Sequence, residues 1–137
     1  MKITSKGRYA LRVVMDLSEN SPSSLMEIST RQGISKKYLE HIAAALNKAG
    51  LVAGTRGNNG GYRLIKDPGE ITALDVIEAV EGPIAVVSCL EGPVNPCERS
   101  NECKTLPVWM GLKKRVKIYL GGVTIKDLIK NEDALLL

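Results

Sequence analysis

Apolar residues recur every three to four positions along most of this 137-residue chain, which is the spacing of helices that bury one face. The first such run predicts a helix from about 5 to 19. Thr4 or Ser5 precedes this run, and both are residue types that cap helix N-termini. The chain is therefore expected to begin with an amphipathic helix.

The next two predicted helices are separated by a break at Gly33. Ser24, followed three residues later by Glu27, is the sequence pattern of a capping box, which predicts a short helix that ends before this glycine. Ser35 is the expected N-cap of a second helix over 36–49, which carries one apolar stripe. Two helices separated by a few residues that include glycine have the outline of a helix-turn-helix.

Two short runs of strand-forming residues follow, at 51–55 and 62–65. They flank Arg-Gly-Asn-Asn-Gly-Gly, which is rich in residues that tolerate positive φ and therefore suits the tip of a hairpin. The order helix, turn, helix, hairpin is that of a winged helix. A helix pair that only packs is the alternative, but the order of elements and the basic charge favour DNA binding.

The second half of the sequence predicts three more helices. Thr72 caps the first, which ends at Gly82. The second starts near Thr105 and is the longest amphipathic helix expected in the chain. Its apolar positions recur every four residues, at Val108, Leu112, Val116 and Leu120. A last short helix is expected to begin near Thr124.

These elements predict a mainly α fold with a small β-hairpin, namely a winged helix-turn-helix followed by a long C-terminal dimerisation helix. Residues 1–82 form the predicted DNA-binding domain, 83–104 a cysteine-containing loop, and 105–137 the dimerisation helix with the short terminal helix. The long helix has more apolar surface than so small a body can cover, so pairing with a second chain is expected. Packing on its own domain is the alternative.

Charge is distributed unevenly along the chain. Residues 1–66 carry 11 Lys and Arg against 4 Asp and Glu, whereas residues 67–137 carry 8 against 11. Clustered cations gain free energy by releasing counterions from phosphates, so the front half is expected to face a polyanion. A merely solvated basic face is the alternative.

The composition also bears on the function class. Apolar residues make up 44% of the chain, and no run of 18 consecutive apolar residues occurs, so we expect a cytoplasmic protein that does not enter a membrane. The sequence has one histidine and no Walker glycine loop. An enzyme is therefore the function class with the least support.

All three cysteines lie in one polar loop, with the spacing C-x7-C-x5-C. Structural cysteines usually lie singly on apolar faces, and a disulfide would leave one thiol over. A structural zinc site commonly uses a tight C-x2-C pair, which this sequence lacks. Iron-sulfur clusters accept wider spacings. Metal or cluster ligation is favoured, with structural cysteines and a redox disulfide as the alternatives.

Several short motifs are spread over nearly the whole chain. They are TSKGRYA at 4–10, GIS at 33–35 with YLE at 38–40, GLV at 50–52, RG at 56–57 with GGY at 60–62, and VW at 108–109 with TI at 124–125 and Leu128. Together they resemble the IscR-type family of bacterial winged-helix regulators. The loop of three cysteines is what separates the cluster-binding members of that family from relatives that lack it.

The resemblance implies a homodimeric repressor that binds a double-stranded DNA operator and holds one iron-sulfur cluster per subunit. A 2Fe-2S cluster is favoured over a 4Fe-4S cluster. In the iron-sulfur biogenesis regulators the cluster-bound form represses cluster-assembly genes. Control of iron-sulfur cluster biogenesis genes is expected here, and whether the cluster-bound or the cluster-free form represses is left open. A nitric-oxide-sensing or thiol-redox-sensing repressor of the same fold is the alternative.

The resemblance also assigns DNA-contacting positions. Ser35, Lys37 and Glu40 correspond to the part of the recognition helix that meets the major groove, and Arg56 corresponds to the wing residue that reaches the minor groove. A carboxylate near phosphates can select against some sequences, with an ion pair to a nearby lysine as the alternative role of Glu40. The full expected set is Ser35, Lys36, Lys37, Tyr38, Glu40, His41, Arg56, Asn58, Asn59 and Gly60.

Cys89, Cys97 and Cys103 correspond to the cluster ligands of the family. The well-known members place five residues between the first two cysteines and have a histidine three residues after the last, where this chain has Leu106. The fourth ligand is therefore open. The candidates are Glu91, Glu98, Glu102 and a group from the other subunit.

Overall fold

The computed structural model describes residues 2–55 and 60–130. Within these ranges the chain forms six α-helices and one antiparallel hairpin. The helices are α1 (Ser5–Glu19), α2 (Leu25–Gln32), α3 (Lys36–Lys48), α4 (Ala73–Glu81), α5 (Leu106–Gly121) and α6 (Ile125–Lys130), and the strands are β1 (Val52–Gly54) and β2 (Tyr62–Leu64). This order confirms the predicted mainly α fold with a winged helix-turn-helix and a long appended helix.

The core lies between the four helices α1 to α4 and the base of the hairpin. Its buried members are all aliphatic, which follows from the absence of Phe from the chain. Val14, Ile28, Ile42, Leu46 and Val76 are fully buried within it. Because each helix buries only one stripe, its opposite face is left available for contacts with other molecules.

The short helix α6 packs on this core. Ile125 is fully buried, and its backbone N–H donates to the carbonyl of Ile71 at 2.9 Å. Thr124 and Asp127 form the reciprocal cap of this helix, at 2.9 and 3.0 Å. The segment 105–137 therefore contributes a residue to the core of segment 1–82, which the pattern of the short helix alone does not indicate.

Side-chain caps fix the start of the two helices of the helix-turn-helix. The backbone N–H of Glu27 donates to Ser24 Oγ at 3.1 Å, and the Glu27 carboxylate accepts from the Ser24 N–H at 3.2 Å. At α3 the Tyr38 N–H donates to Ser35 Oγ at 3.2 Å. Both caps were expected from the sequence because each involves residues three positions apart.

The N-terminus of α1 is capped differently. Thr4 occupies the expected N-cap position, but its side chain makes no capping hydrogen bond to its own helix. Instead, the Glu81 carboxylate at the end of α4 accepts from the N–H groups of Thr4 and Gly7, at 2.8 and 3.2 Å. It also accepts from the Thr4 hydroxyl. The end of α4 therefore supplies the cap that the start of α1 lacks.

No helix in the described ranges is both long enough and apolar enough to cross a membrane.

Candidate nucleic-acid interface and cysteine loop

The third helix, α3, has one buried and one exposed face. Leu39, Ile42 and Leu46 are buried against the core. The exposed residues of the opposite side are Lys36, Lys37, Glu40, His41, Ala44, Asn47 and Lys48. Since residues three and four apart share a helix face, the predicted contact residues lie on one continuous surface. The prediction does not include the last three residues of this set, although extending the same period by two turns identifies them.

The N-terminus of α3 carries two further predicted residues. Ser35 is exposed, and its hydroxyl accepts the capping hydrogen bond from Tyr38 while its own proton stays free to donate. Tyr38 is half-buried, and its ring meets that of Tyr9 edge to face, with the centroids 5.6 Å apart. This contact ties the start of α3 to α1. A helix N-terminus also attracts phosphate through its free N–H groups and its dipole.

Glu40 is exposed on this surface. The ion pairs within the described part of the chain both involve Arg31, with Asp16 and with Glu27. Glu40 therefore does not form the ion pair with a neighbouring lysine that was the alternative interpretation. Its carboxylate is free to accept a hydrogen bond from a ligand.

The wing consists of β1 and β2, which pair with Val52 opposite Leu64 and Gly54 opposite Tyr62. Beyond the strands, the N–H of Thr55 donates to the Gly61 carbonyl at 2.6 Å. Gly60 is half-buried next to this pair. The other predicted residues of the wing lie outside the described residues; they are Arg56, Asn58 and Asn59.

The cysteine loop joins α4 to α5. All three thiols are free, with Cys97 exposed and Cys89 and Cys103 half-buried. The loop's own backbone hydrogen bonds are local, such as Ser100 N–H to the Cys97 carbonyl at 3.1 Å. A longer link comes from Lys113 of α5, whose Nζ donates to the Leu90 carbonyl at 2.9 Å.

Cys103 lies at the start of α5, and its sulfur is 3.4 Å from Thr105 Oγ1. The hydrogen bond with this hydroxyl is the largest influence that lowers the pKa of the Cys103 thiol, followed by the bond from the Thr105 N–H. The N–H of Leu106 and the charge of Arg99 act in the same direction. A lowered pKa favours the thiolate, which is the form that binds metals.

The donor set suits an iron-sulfur cluster in its chemistry, because thiolates are the ligands that such clusters take from proteins. In the conformation of the described residues, however, no group of three or more His, Cys, Asp and Glu side chains is placed to hold a metal ion. The three thiols therefore lie in one loop without converging. Ligation of one group by all three would require the locally bonded loop to rearrange.

The fifth helix, α5, has no buried residue. Val108, Leu112 and Tyr119 are 60%, 41% and 57% exposed. They lie at positions i, i+4 and i+11, which share one side of a helix. An exposed apolar face of this kind is typical of a contact surface.

Known proteins are similar to this chain in sequence and in structure. The model of the Rrf2 family, described as an iron-dependent transcriptional regulator, matches residues 3–131. The HTH-type transcriptional regulator IscR of Xenorhabdus nematophila is 39% identical to this chain, over 98% of this chain and 83% of that protein.

Two solved structures extend this similarity to the fold. T. potens IscR has a TM-score of 0.77 at 32% identity, over 100% of this chain and 92% of that one. CymR, the global cysteine regulator of B. subtilis, has a TM-score of 0.74 at 35% identity, over 93% of this chain and 95% of that one.

The matched residues include the helix-turn-helix, the wing strands, the cysteine loop and α5. The relatives are DNA-binding regulators and not enzymes, which agrees with the exposed polar face of α3. The chain belongs to the Rrf2 family of transcriptional regulators.

Proposed function

We propose that this chain is a homodimeric repressor that senses iron-sulfur status through a cluster held by Cys89, Cys97 and Cys103, and that it controls genes for iron-sulfur cluster biogenesis. One observation carries the proposal. The three free thiols lie in a single loop between residues 1–82, the predicted DNA-binding domain that is called the DNA-binding unit below, and α5. Regulators named IscR that match nearly the whole chain support it.

In the proposed complex, α3 enters the major groove with its exposed face. Lys36 and Lys37 attract phosphates without regard to sequence, whereas Glu40 and Ser35 address base edges. A carboxylate is tolerated among phosphates where it accepts a hydrogen bond from a cytosine amino group, so Glu40 disfavours other bases at that position. Arg56 of the wing would reach the adjacent minor groove.

The dimer would form through α5, since its exposed apolar side is otherwise in contact with water. Two copies related by a twofold axis present two recognition helices. An operator that is a palindrome with half-sites about one duplex turn apart fits this arrangement.

The cysteines would hold the cluster, which supplies a redox-active centre whose presence depends on iron and sulfide. The lowered pKa of Cys103 means that this thiol loses its proton more readily than an ordinary cysteine. Drawing the three thiols together would order the loop beside α5. Cluster binding would change DNA affinity only to the extent that the protein with the ordered loop and the protein with the free loop differ in their affinity for DNA.

Visible absorption of protein purified without oxygen tests this proposal. Charge-transfer bands between about 300 and 600 nm, with iron and sulfide in stoichiometric amounts, are expected for a cluster. Cys97→Ala should remove the bands, and Ser100→Ala, in the same loop, should retain them. DNA affinity at several promoters should differ between the cluster-bound protein and Cys97→Ala.

The rival functions give other results. A colourless protein whose DNA binding responds to oxidant would identify a thiol switch instead. A coloured protein whose DNA binding is lost on addition of nitric oxide, and not on iron limitation, would identify a nitric-oxide sensor. Equal DNA affinity of cluster-bound protein and Cys97→Ala at all promoters would reject cluster sensing altogether.

A further inference from the structure

The wing docks against the turn between α1 and α2. Ser23 in this turn forms an antiparallel bridge with Tyr62 of β2. The Ser23 N–H donates to the Tyr62 carbonyl at 3.0 Å, and the Tyr62 N–H donates to the Ser23 carbonyl at 2.7 Å. A two-stranded hairpin is marginally stable by itself. This third backbone partner therefore restrains the wing.

The position of this junction matters, because the two ends of the wing are held differently. At the base, Val52 is buried and Leu64 packs against the core. Asn47 of α3 also donates to the Val52 carbonyl, at 3.3 Å. The Ser23–Tyr62 bridge lies at the other end of the strands, next to the tip. It thus restrains the part of the wing nearest to the proposed DNA contact.

Gly61 allows the close approach at the junction. A Cβ atom at this position would lie 2.4 Å from the carbonyl carbon and oxygen of Ser23 and 2.8 Å from the nitrogen of Ser24. These are backbone atoms, which cannot turn aside as a side chain can. By contrast, a Cβ on Gly54 of the partner strand would meet only the Tyr62 ring, at 3.8 Å.

A partly buried polar network holds the Ser23 side chain on the side away from the wing. Its side chain accepts from Arg31 Nη2 at 2.6 Å and donates to the Asn20 carbonyl. Arg31 also forms a forked pair with Asp16 of α1, at 2.7 and 2.9 Å. Gln32 adds a bond to the same carboxylate at 2.9 Å. One network therefore connects α1, α2, the turn and the wing.

We propose that Ser23 and Gly61 are positioning residues for DNA recognition, which hold the wing at a fixed distance from α3 while the Asp16–Arg31 pair braces the junction. They touch no DNA themselves and act through the wing. A duplex presents its major and minor grooves at a set separation, so two reading elements must be held at the matching separation. The inference rests on the proposed contact of Arg56 with DNA.

A double-mutant cycle tests this inference on DNA selected from a random pool by the wild-type dimer. Gly61→Ala should lower affinity about tenfold, as should Arg56→Ala, because both remove the wing contact. The double variant should lose little more than either single variant. Gly54→Ala, the same change in the same wing without the clash, should stay within about twofold of wild type.

A milder pair of variants guards against misfolding. Ser23→Ala removes the hydroxyl at the junction, whereas Ser29→Ala removes a comparable bond, to the Ile34 carbonyl at 2.6 Å, that has no link to the wing. Ser23→Ala should weaken DNA binding and reduce its salt dependence, and Ser29→Ala should do neither. Far-UV circular dichroism and thermal midpoints establish that each variant is folded.

Three results would overturn the inference. First, the losses of DNA affinity from Gly61→Ala and Arg56→Ala would add in the double variant if Gly61 affected only the stability of the fold. Gly61→Ala and Gly54→Ala would behave alike if the junction did not matter. If Arg56→Ala left affinity unchanged, the wing would make no contact with DNA, while a loss of affinity with Lys37→Ala would still show that α3 binds DNA.

Discussion

The DNA-binding unit and α5 share the same apolar spacing, but the apolar face is buried in the first and exposed in the second. In the DNA-binding unit, apolar residues at helical spacing are enclosed, and Ile28 and Leu46 are fully buried. In α5, Val108 and Leu112 recur at the same spacing, yet both are exposed. Apolar periodicity therefore identifies a helix with an apolar face, but it does not say whether the chain itself covers that face.

The polar groups of the DNA-binding unit and of the cysteine loop also differ in burial. In the DNA-binding unit the Asp16 side chain is 1% exposed and is bonded to Arg31 and Gln32. In the cysteine loop Glu91 and Cys97 are exposed to solvent. The first region satisfies its buried polar groups internally, whereas the cysteine loop presents exposed groups that a ligand or another subunit can use.

The largest expected effect on stability comes from creating a cavity in the core. Leu46→Ala should lower the free energy of unfolding by about 3 kcal/mol, because it removes transfer free energy and leaves a cavity. The same substitution at Leu112, which is 41% exposed in the single chain, should have an effect that depends on protein concentration, since that residue would be fully covered only in the proposed dimer. Urea titrations at several concentrations measure both. If the Leu112→Ala effect were large and independent of concentration, the two regions would not differ as described.

The second effect concerns association. Leu112→Asp should weaken dimerisation on the order of 100-fold, because it would place a charge in the desolvated centre of the proposed interface. Ile118→Asp is a matched control, since Ile118 is also exposed on α5 but lies off the face shared by Val108, Leu112 and Tyr119. Sedimentation velocity measures the monomer fraction. Equal dissociation of both variants would place the interface elsewhere on the helix.

The third effect concerns the buried carboxylate. Burial alone would raise the pKa of Asp16, but the hydrogen bonds from Arg31 and Gln32 and the charge of Arg31 outweigh it, so the pKa lies below its ordinary value. Asp16 therefore contributes stability above an ordinary aspartate pKa of about 3.9, and this contribution is lost as the pH falls through the lower, folded-state pKa.

Asp16→Asn should accordingly lower the free energy of unfolding at neutral pH by about 2 kcal/mol. This is less than for a fully buried pair, because Arg31 is one third exposed and can be hydrated. The difference from wild type should shrink as the pH falls below about 4. Urea unfolding between neutral pH and the acid limit of folding measures it, and a constant difference would contradict the assignment.

The smallest effect concerns the link between the two regions. Glu81 ends α4 just before the cysteine loop and caps α1, so Glu81→Ala should cost about 1 kcal/mol. Hydrogen exchange should become faster at the Gly7 amide. Glu70→Ala is the matched control, because it removes an exposed glutamate elsewhere in the DNA-binding unit. It should leave the exchange rate of the Gly7 amide unchanged. Equal exchange in both variants would show that Glu81 is not the cap.

Much of the fold could be predicted because its signals are local. The capping pairs Ser24 with Glu27 and Thr124 with Asp127 join residues three positions apart, so a short window of sequence contains both partners. The exposed face of α3 could be predicted for the same reason. The cap of α1 could not, because Glu81 lies 77 residues from Thr4 in the chain.

The sequence by itself determined the six helices, the hairpin and the clustering of three cysteines in one loop, because residue type and short-range spacing are sufficient for these. The tertiary structure decided which apolar faces are enclosed. It also placed Ile125 of α6 in the core formed by α1 to α4, and Ser23 in contact with the wing at Gly61. These contacts join residues far apart in the chain. They depend on how the helices pack, and no single stretch of sequence contains that information.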